Sequence, residues 1–182
     1  MGPLEVIFTI IVIIFALIGL ARGYKRELGS TLIILVAIFV LSFFEEEITR
    51  LFGTVSAQLF ASNNPSEARN LVYLSFFQII FAVIVFAGYA GRTLEFPGTP
   101  APPPLGSLLD LAVGTLNGYL IAGTLWYYLD RFGYPTQAFG WIQLPLTSTG
   151  QALVEFLPQR IFESPTYWMI PVAALLILRV RG

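Results

Sequence analysis

The chain has 182 residues, of which 56% are hydrophobic and 12% charged, with a formal net charge of −1. A soluble domain of this size cannot hide that much apolar surface, so the bilayer is part of its solvent. The near-neutral charge argues against a nucleic-acid binder, which needs a basic face, and the absence of cysteine and histidine excludes disulfides, thiol catalysis, iron–sulfur clusters, Cys/His zinc sites, His-ligated haem and a histidine general base.

The first apolar run, Leu4–Ala21, is close to the ~20 residues that cross a ~30 Å hydrocarbon core, and Glu5 near its start is expected at the interface. No Ala-x-Ala signal follows it, and basic residues come after it instead of before, so it reads as a retained span, not a cleaved signal peptide. The segment Gly19–Gly29, GLARGYKRELG, then places Arg22, Lys25, Arg26 and Glu27 between two apolar runs. Lys and Arg are retained on the cytoplasmic side, so this turn is expected inside and the N-terminus outside. The same three cations suit anionic lipid headgroups, at ~1 kcal/mol per cation.

The second span is expected over Leu28–Phe44. Both spans are rich in β-branched residues, but in lipid the backbone must satisfy itself, which favours helix. In the connector Glu45–Asn70, Ile48, Leu51, Phe52, Val55, Leu59 and Phe60 recur at helical spacing, the mark of an amphipathic helix on the membrane surface. Glu45, Glu46 and Glu47 read as its solvated start. A turn at Asn63-Asn64-Pro65-Ser66 leads to the third span, Leu71–Ala90.

Pro97, Pro100, Pro102, Pro103 and Pro104 make the next segment an extended loop. The fourth span, Ser107–Leu129, ends in Trp126, Tyr127 and Tyr128, as an interfacial aromatic belt would. Beyond Asp130, glycines and prolines break the chain repeatedly. A short amphipathic helix is expected around Gly150–Leu157. The last apolar run, Tyr167–Leu178, is either a shortened fifth helix or a re-entrant or interfacial segment.

With five spans, Arg22, Lys25, Arg26, Arg92, Arg179 and Arg181 share the inner side, and Arg50, Arg69, Arg131 and Arg160 the outer. The fold class is therefore an all-α membrane protein with four transmembrane helices, surface amphipathic segments and that short C-terminal apolar run. The membrane domain covers residues 1–132, and an irregular C-terminal segment covers 133–182.

Gly106, Asp110, Gly114, Gly118 and Ala122 recur every four residues along one face of the fourth helix, and Gly123 broadens it. Such a face admits another helix at close range, either within the bundle or from another subunit. Asp110 falls near the helix start, where the helix dipole and interface water favour a carboxylate. Gln78 and Asn117 lie deeper and are expected to bridge helices by hydrogen bonds. The sequence has no Gly-x-Ser-x-Gly, no Walker sequence and no Gly-x-Gly-x-x-Gly. No catalytic residue, cofactor or metal site is expected. The expected partners are membrane lipids and other integral membrane subunits, with no nucleic acid. Besides a non-enzymatic membrane protein, an accessory subunit of a photosynthetic or respiratory complex and a small transporter or channel remain open.

The segment ARGYKRELGSTLIIL resembles the first inter-helix turn of the CvpA family, the colicin V production proteins, through Arg22, Gly23, Tyr24, Arg26 and Glu27. The segment VGTLNGYLIAGTLWYYLD is similar to that family's fourth helix, through Gly114, Gly118, Tyr127, Tyr128 and Asp130. At Asn117 the family often carries an arginine. The resemblance implies a bacterial inner-membrane protein, associated with colicin V production or export and envelope physiology, without a catalytic site. It would act by helix–helix docking through the Gly114/Gly118 face.

Overall fold

The structure is a computed structural model that describes residues 3–59, 65–90, 94–140, 142 and 144–181. Every regular element among them is helical. The α-helices are α1 (Leu4–Arg22), α2 (Tyr24–Phe43), α3 (Glu45–Leu59), α4 (Pro65–Ala90), α5 (Leu105–Arg131), α6 (Ser148–Glu155), α7 (Pro158–Ile161) and α8 (Met169–Arg181). Short 3₁₀ turns lie at Pro135–Phe139 and Pro165–Trp168. Helices α1, α2, α4 and α5 are each long and apolar enough to cross a membrane.

The spans extend beyond their apolar runs. Helix α2 begins at Tyr24, not Leu28, because the turn after α1 is a single residue, Gly23, at φ +83°. Lys25 and Arg26 therefore belong to the first turn of α2. Gly23 closes α1 through its N–H to the Gly19 carbonyl at 2.9 Å and opens α2 through its own carbonyl, which accepts from Glu27 N at 3.1 Å. A left-handed backbone of this kind is one that glycine adopts without steric cost.

Helices α2 and α5 form the centre of the bundle. Ile34, Ile38 and Leu41 of α2, Leu74, Phe77 and Phe81 of α4, and Leu120, Ile121 and Tyr128 of α5 make its core. Phe77 stacks on Tyr128 with ring centroids 4.6 Å apart. Helix α1 lies on the outside of α5, and only 17% of its span is buried. Val6, Ile10, Ile13, Ile14 and Leu17 face outward along it, the pattern of a helix solvated by lipid.

Helix α3 runs along α4. The Phe52 ring sits 4.5 Å from Phe76, Ile48 packs on the core, and the Tyr73 hydroxyl donates to the Thr49 carbonyl at 2.7 Å. Leu51 is exposed. The side chains of Val55 and Leu59, and residues Phe60, Asn63, Asn64 and Arg92, lie outside the described residues.

The C-terminal segment folds back onto the bundle. Thr147 caps α6 by accepting from Gly150 N at 3.0 Å, and its hydroxyl donates to Glu5, so the start of α1 is tied to α6. A Cβ on Gly123 would overlap the Pro158 ring, so the glycine lets α7 seat on α5. Trp168 is 2% exposed within the core. From there α8 packs beside α2, with Val172 and Leu175 against the core. Its 13 residues reach about 20 Å, short of the ~30 Å needed to cross. The last apolar run is thus a shortened helix beside the bundle.

Candidate functional site: a buried polar network between four helices

The one-residue turn at Gly23 brings Arg22 back over the first turns of α2. Its Nη1 lies 2.8 Å from Glu27 Oε1, and the Glu27 side chain is fully buried. Arg22 also donates to Ser30 Oγ at 3.3 Å, and its guanidinium stacks 4.5 Å from the centre of the Tyr89 ring. On the other oxygen, Oε2, Glu27 accepts from the Tyr89 hydroxyl at 2.7 Å and from Asn117 Nδ2 at 2.8 Å. Thr31 Oγ1 stands 2.7 Å from Asn117 Oδ1 and 2.8 Å from the Glu27 carbonyl. One carboxylate thereby joins α1, α2, α4 and α5.

Electrostatics explains why the group stays together. A charge inside a bundle is tolerated only when paired and hydrogen-bonded. Here a single cation balances a single anion, and neutral donors complete the anion's shell. A neutral amide at Asn117 fits this balance, because Arg22 already supplies the positive charge.

Arg22 is thus partly buried: its side chain is 21% exposed and pairs with Glu27, while it lines an open surface pocket with Lys25 and Arg26. Lys25 Nζ donates to the Gly98 carbonyl, and Arg26 Nε stands 3.8 Å from Glu95 Oε1 in an exposed pair. The proline-rich loop is thus pinned to the first turn rather than free. Phe96 N donates to the Lys25 carbonyl at 3.2 Å, Ala101 N donates to the Tyr24 hydroxyl at 3.1 Å, and Phe96 is buried.

Asp110 serves a different helix from the one expected. It sits in the second turn of α5, and its Oδ1 accepts from Tyr24 N at 2.6 Å. It therefore supplies the N-cap that α2 lacks locally, since Gly23 has no side chain.

The small-residue stripe is occupied from within the chain. A Cβ on Gly114 would stand 2.6 Å from the Phe15 carbonyl and 2.9 Å from Gly19 Cα. One on Gly118 would stand 2.8 Å from Val12 Cα. Gly106 instead lies against the Ala101 carbonyl, and Ala122 is buried. The seam holds α1 on α5, the packing within the bundle that was one of the two readings of this face, and α1 occupies the place that a helix of another subunit would take. Gln78 Nε2 donates to the Leu125 carbonyl at 3.3 Å, bridging α4 to α5.

Three members of the network, Ser30, Thr31 and Tyr89, are not singled out by the sequence, and Glu27 reads there only as part of a turn. The signal was present. Glu27, Thr31, Ile34, Ile38 and Leu41 follow one helical stripe, and the last three are core, so Glu27 must face inward.

At the opposite end of α5, Arg131 Nε pairs with Glu45 Oε1 at 2.7 Å and Arg160 pairs with Asp130 Oδ2 at 2.7 Å. Tyr134 donates to Asp130 and accepts from Trp126 Nε1. Burial, with Asp130 adding and the Trp126 N–H opposing, pushes its hydroxyl up to about 12, so it remains a donor at neutral pH. Among the described residues, no group of three or more acidic side chains is placed to hold a metal ion.

A family model described as colicin V production protein matches residues 4–145. No curated protein and no solved structure matches the chain. The matched stretch contains the whole Arg22–Glu27–Tyr89–Asn117 network and both sides of the glycine seam.

Proposed function

The chain belongs to the colicin V production protein family, and from that premise we propose that it is a non-enzymatic protein of the bacterial inner membrane. In this reading it supports colicin V production or export and envelope physiology by holding other integral membrane subunits. The observation that carries the proposal is the family match over residues 4–145. The buried network supports the non-enzymatic part. Both Glu27 oxygens are already engaged by Arg22, Tyr89 and Asn117, which leaves no free carboxylate oxygen for a substrate. Partner docking falls to the lipid-facing surface, because α1 fills the glycine seam.

Complementation tests this. In a colicin V-producing strain, deleting the gene for this chain lowers the toxin activity released into the medium, and the intact chain restores it. Mild-detergent purification followed by native mass spectrometry then recovers integral membrane proteins in fixed ratio. Unchanged toxin release after deletion, or a particle free of partners, counts against the proposal.

A further inference from the structure

Helices α1 and α4 both pack on α5 but scarcely on each other. Between them, towards the end of the bundle away from Gly23, lies an open cavity of about 290 Å³. Ile7 and Phe8 of α1 and Leu125 and Trp126 of α5 are among its walls, and none of its lining residues is charged.

One lining group is out of keeping with such a wall. Gln78 sits midway along α4. Its Nε2 donates to the Leu125 carbonyl at 3.3 Å, and its Oε1 has no hydrogen-bond partner among the described residues. The Leu125 carbonyl accepts only from an N–H, which fixes the amide with its nitrogen towards α5 and its oxygen turned away. Unlike the sealed Gln159 oxygen, Gln78 Oε1 keeps accessible surface. An amide oxygen at this depth in a bilayer costs free energy without a donor. The other polar side chains of the lining are not available as partners: Trp126 Nε1 donates to Tyr134, and Thr136 Oγ1 is sealed from the surface.

The contents of the cavity follow by elimination. A water needs several polar partners and finds one amide. An acyl chain matches the walls but brings no donor. A charged head would stand here without a counter-charge. We infer that this cavity binds the hydroxyl head of a neutral lipid. The O–H donates to Gln78 Oε1, the hydroxyl oxygen is matched to the second N–H on Nε2, and the apolar body leaves between α1 and α4. The cavity has room for about ten water-sized groups, which suits a single ring or chain better than two acyl tails. The hydroxyl comes either from a phenolic ring or from an aliphatic alcohol. The inference is independent of the role in toxin production and is read by binding alone.

Tritiated para-nonylphenol and dodecanol, each beside its methyl ether, test it on the full chain in phosphatidylcholine nanodiscs, with the counts held by empty discs subtracted. At least one alcohol binds saturably, and its methyl ether, the same body without a donor, binds about tenfold more weakly. Gln78→Leu removes this preference, so that alcohol and ether bind alike. Ile7→Trp, at an outward-facing position of the lining, fills the cavity with Gln78 intact and weakens the alcohol about fivefold at an unchanged elution volume. Absence of saturable binding by both alcohols, equal binding of alcohol and ether by the unaltered chain, an undiminished preference in Gln78→Leu, or wild-type affinity in Ile7→Trp would overturn the inference. Binding of nonylphenol alone assigns a phenolic head and of dodecanol alone an aliphatic one, while binding of both shows that the hydroxyl is what is read.

Discussion

Arg22 Nη1 and Glu27 Oε1 lie 2.8 Å apart across the single-residue turn at Gly23, with the Glu27 side chain fully buried. Removing one member of such a pair leaves an uncompensated charge, which costs about 3–5 kcal/mol. Arg22→Met is therefore expected to lower the thermal unfolding temperature in detergent sharply, as is Glu27→Ala. The double variant Arg22→Met/Glu27→Leu carries no buried charge and should be more stable than Arg22→Met alone. A double variant that loses the sum of the two single losses would show that the pair is not coupled.

The glycine seam gives a second prediction. In an exposed helix, Gly→Ala gains up to about 1 kcal/mol from helix propensity. At Gly114 the added Cβ meets the Phe15 carbonyl at 2.6 Å, so α1 must move away from α5. Gly114→Ala is expected to lose about 1–3 kcal/mol, read as a drop in unfolding temperature. Leu116→Ala, at an outward-facing position of the same helix, should change it far less. Equal effects at the two positions would mean that α1 does not rest on Gly114.

These two sites differ in how much of them the sequence disclosed. The four spans were legible because each satisfies its own backbone and shows it as a long apolar run. Asn117 and Gln78 were legible as helix bridges because a polar group inside such a run needs a partner. The partner's identity was not legible. Tyr89 ends an apolar span and reads equally well as an interfacial aromatic, and only the packing of α4 on α2 brings it to Glu27. The pairing inside the basic turn was hidden for a related reason: Arg22 and Lys25 look alike as charges, but one residue of turn geometry brings Arg22 onto Glu27. The stripe on α5 was visible, while the choice between a helix of this chain and a helix of another subunit depended on where α1 lies.

Asp110 reaches from α5 to the first N–H of α2, with Oδ1 2.6 Å from Tyr24 N. Asp110→Ala leaves that helix start uncapped and should cost about 1 kcal/mol. Asp110→Asn keeps an acceptor oxygen and should lie close to wild type. Thermal unfolding of both variants checks the order. The same Asn variant bears on transport. A proton- or ion-carrying role for Asp110 requires that Asp110→Asn abolish ion-dependent uptake into vesicles, whereas a capping role leaves flux unchanged, and unchanged flux is the expected result.

Orientation is testable because the chain has no cysteine, so single introduced thiols can be labelled against a silent background. With α1 and α2 joined by a cytoplasmic turn, the proline-rich loop lies on the same inner side and α6 lies outside. Thr99 and Glu155 are both exposed, one at each end of the bundle. A membrane-impermeant maleimide should label Glu155→Cys in intact spheroplasts and Thr99→Cys only after the membrane is opened. Lys25 and Arg26 are the cations of this turn besides Arg22, which pairs with Glu27. Replacing both with glutamine weakens the retention of the turn inside, and some Thr99→Cys molecules should then be labelled in intact spheroplasts. Labelling of Thr99→Cys before the membrane is opened, in the otherwise unaltered chain, would place the N-terminus inside instead.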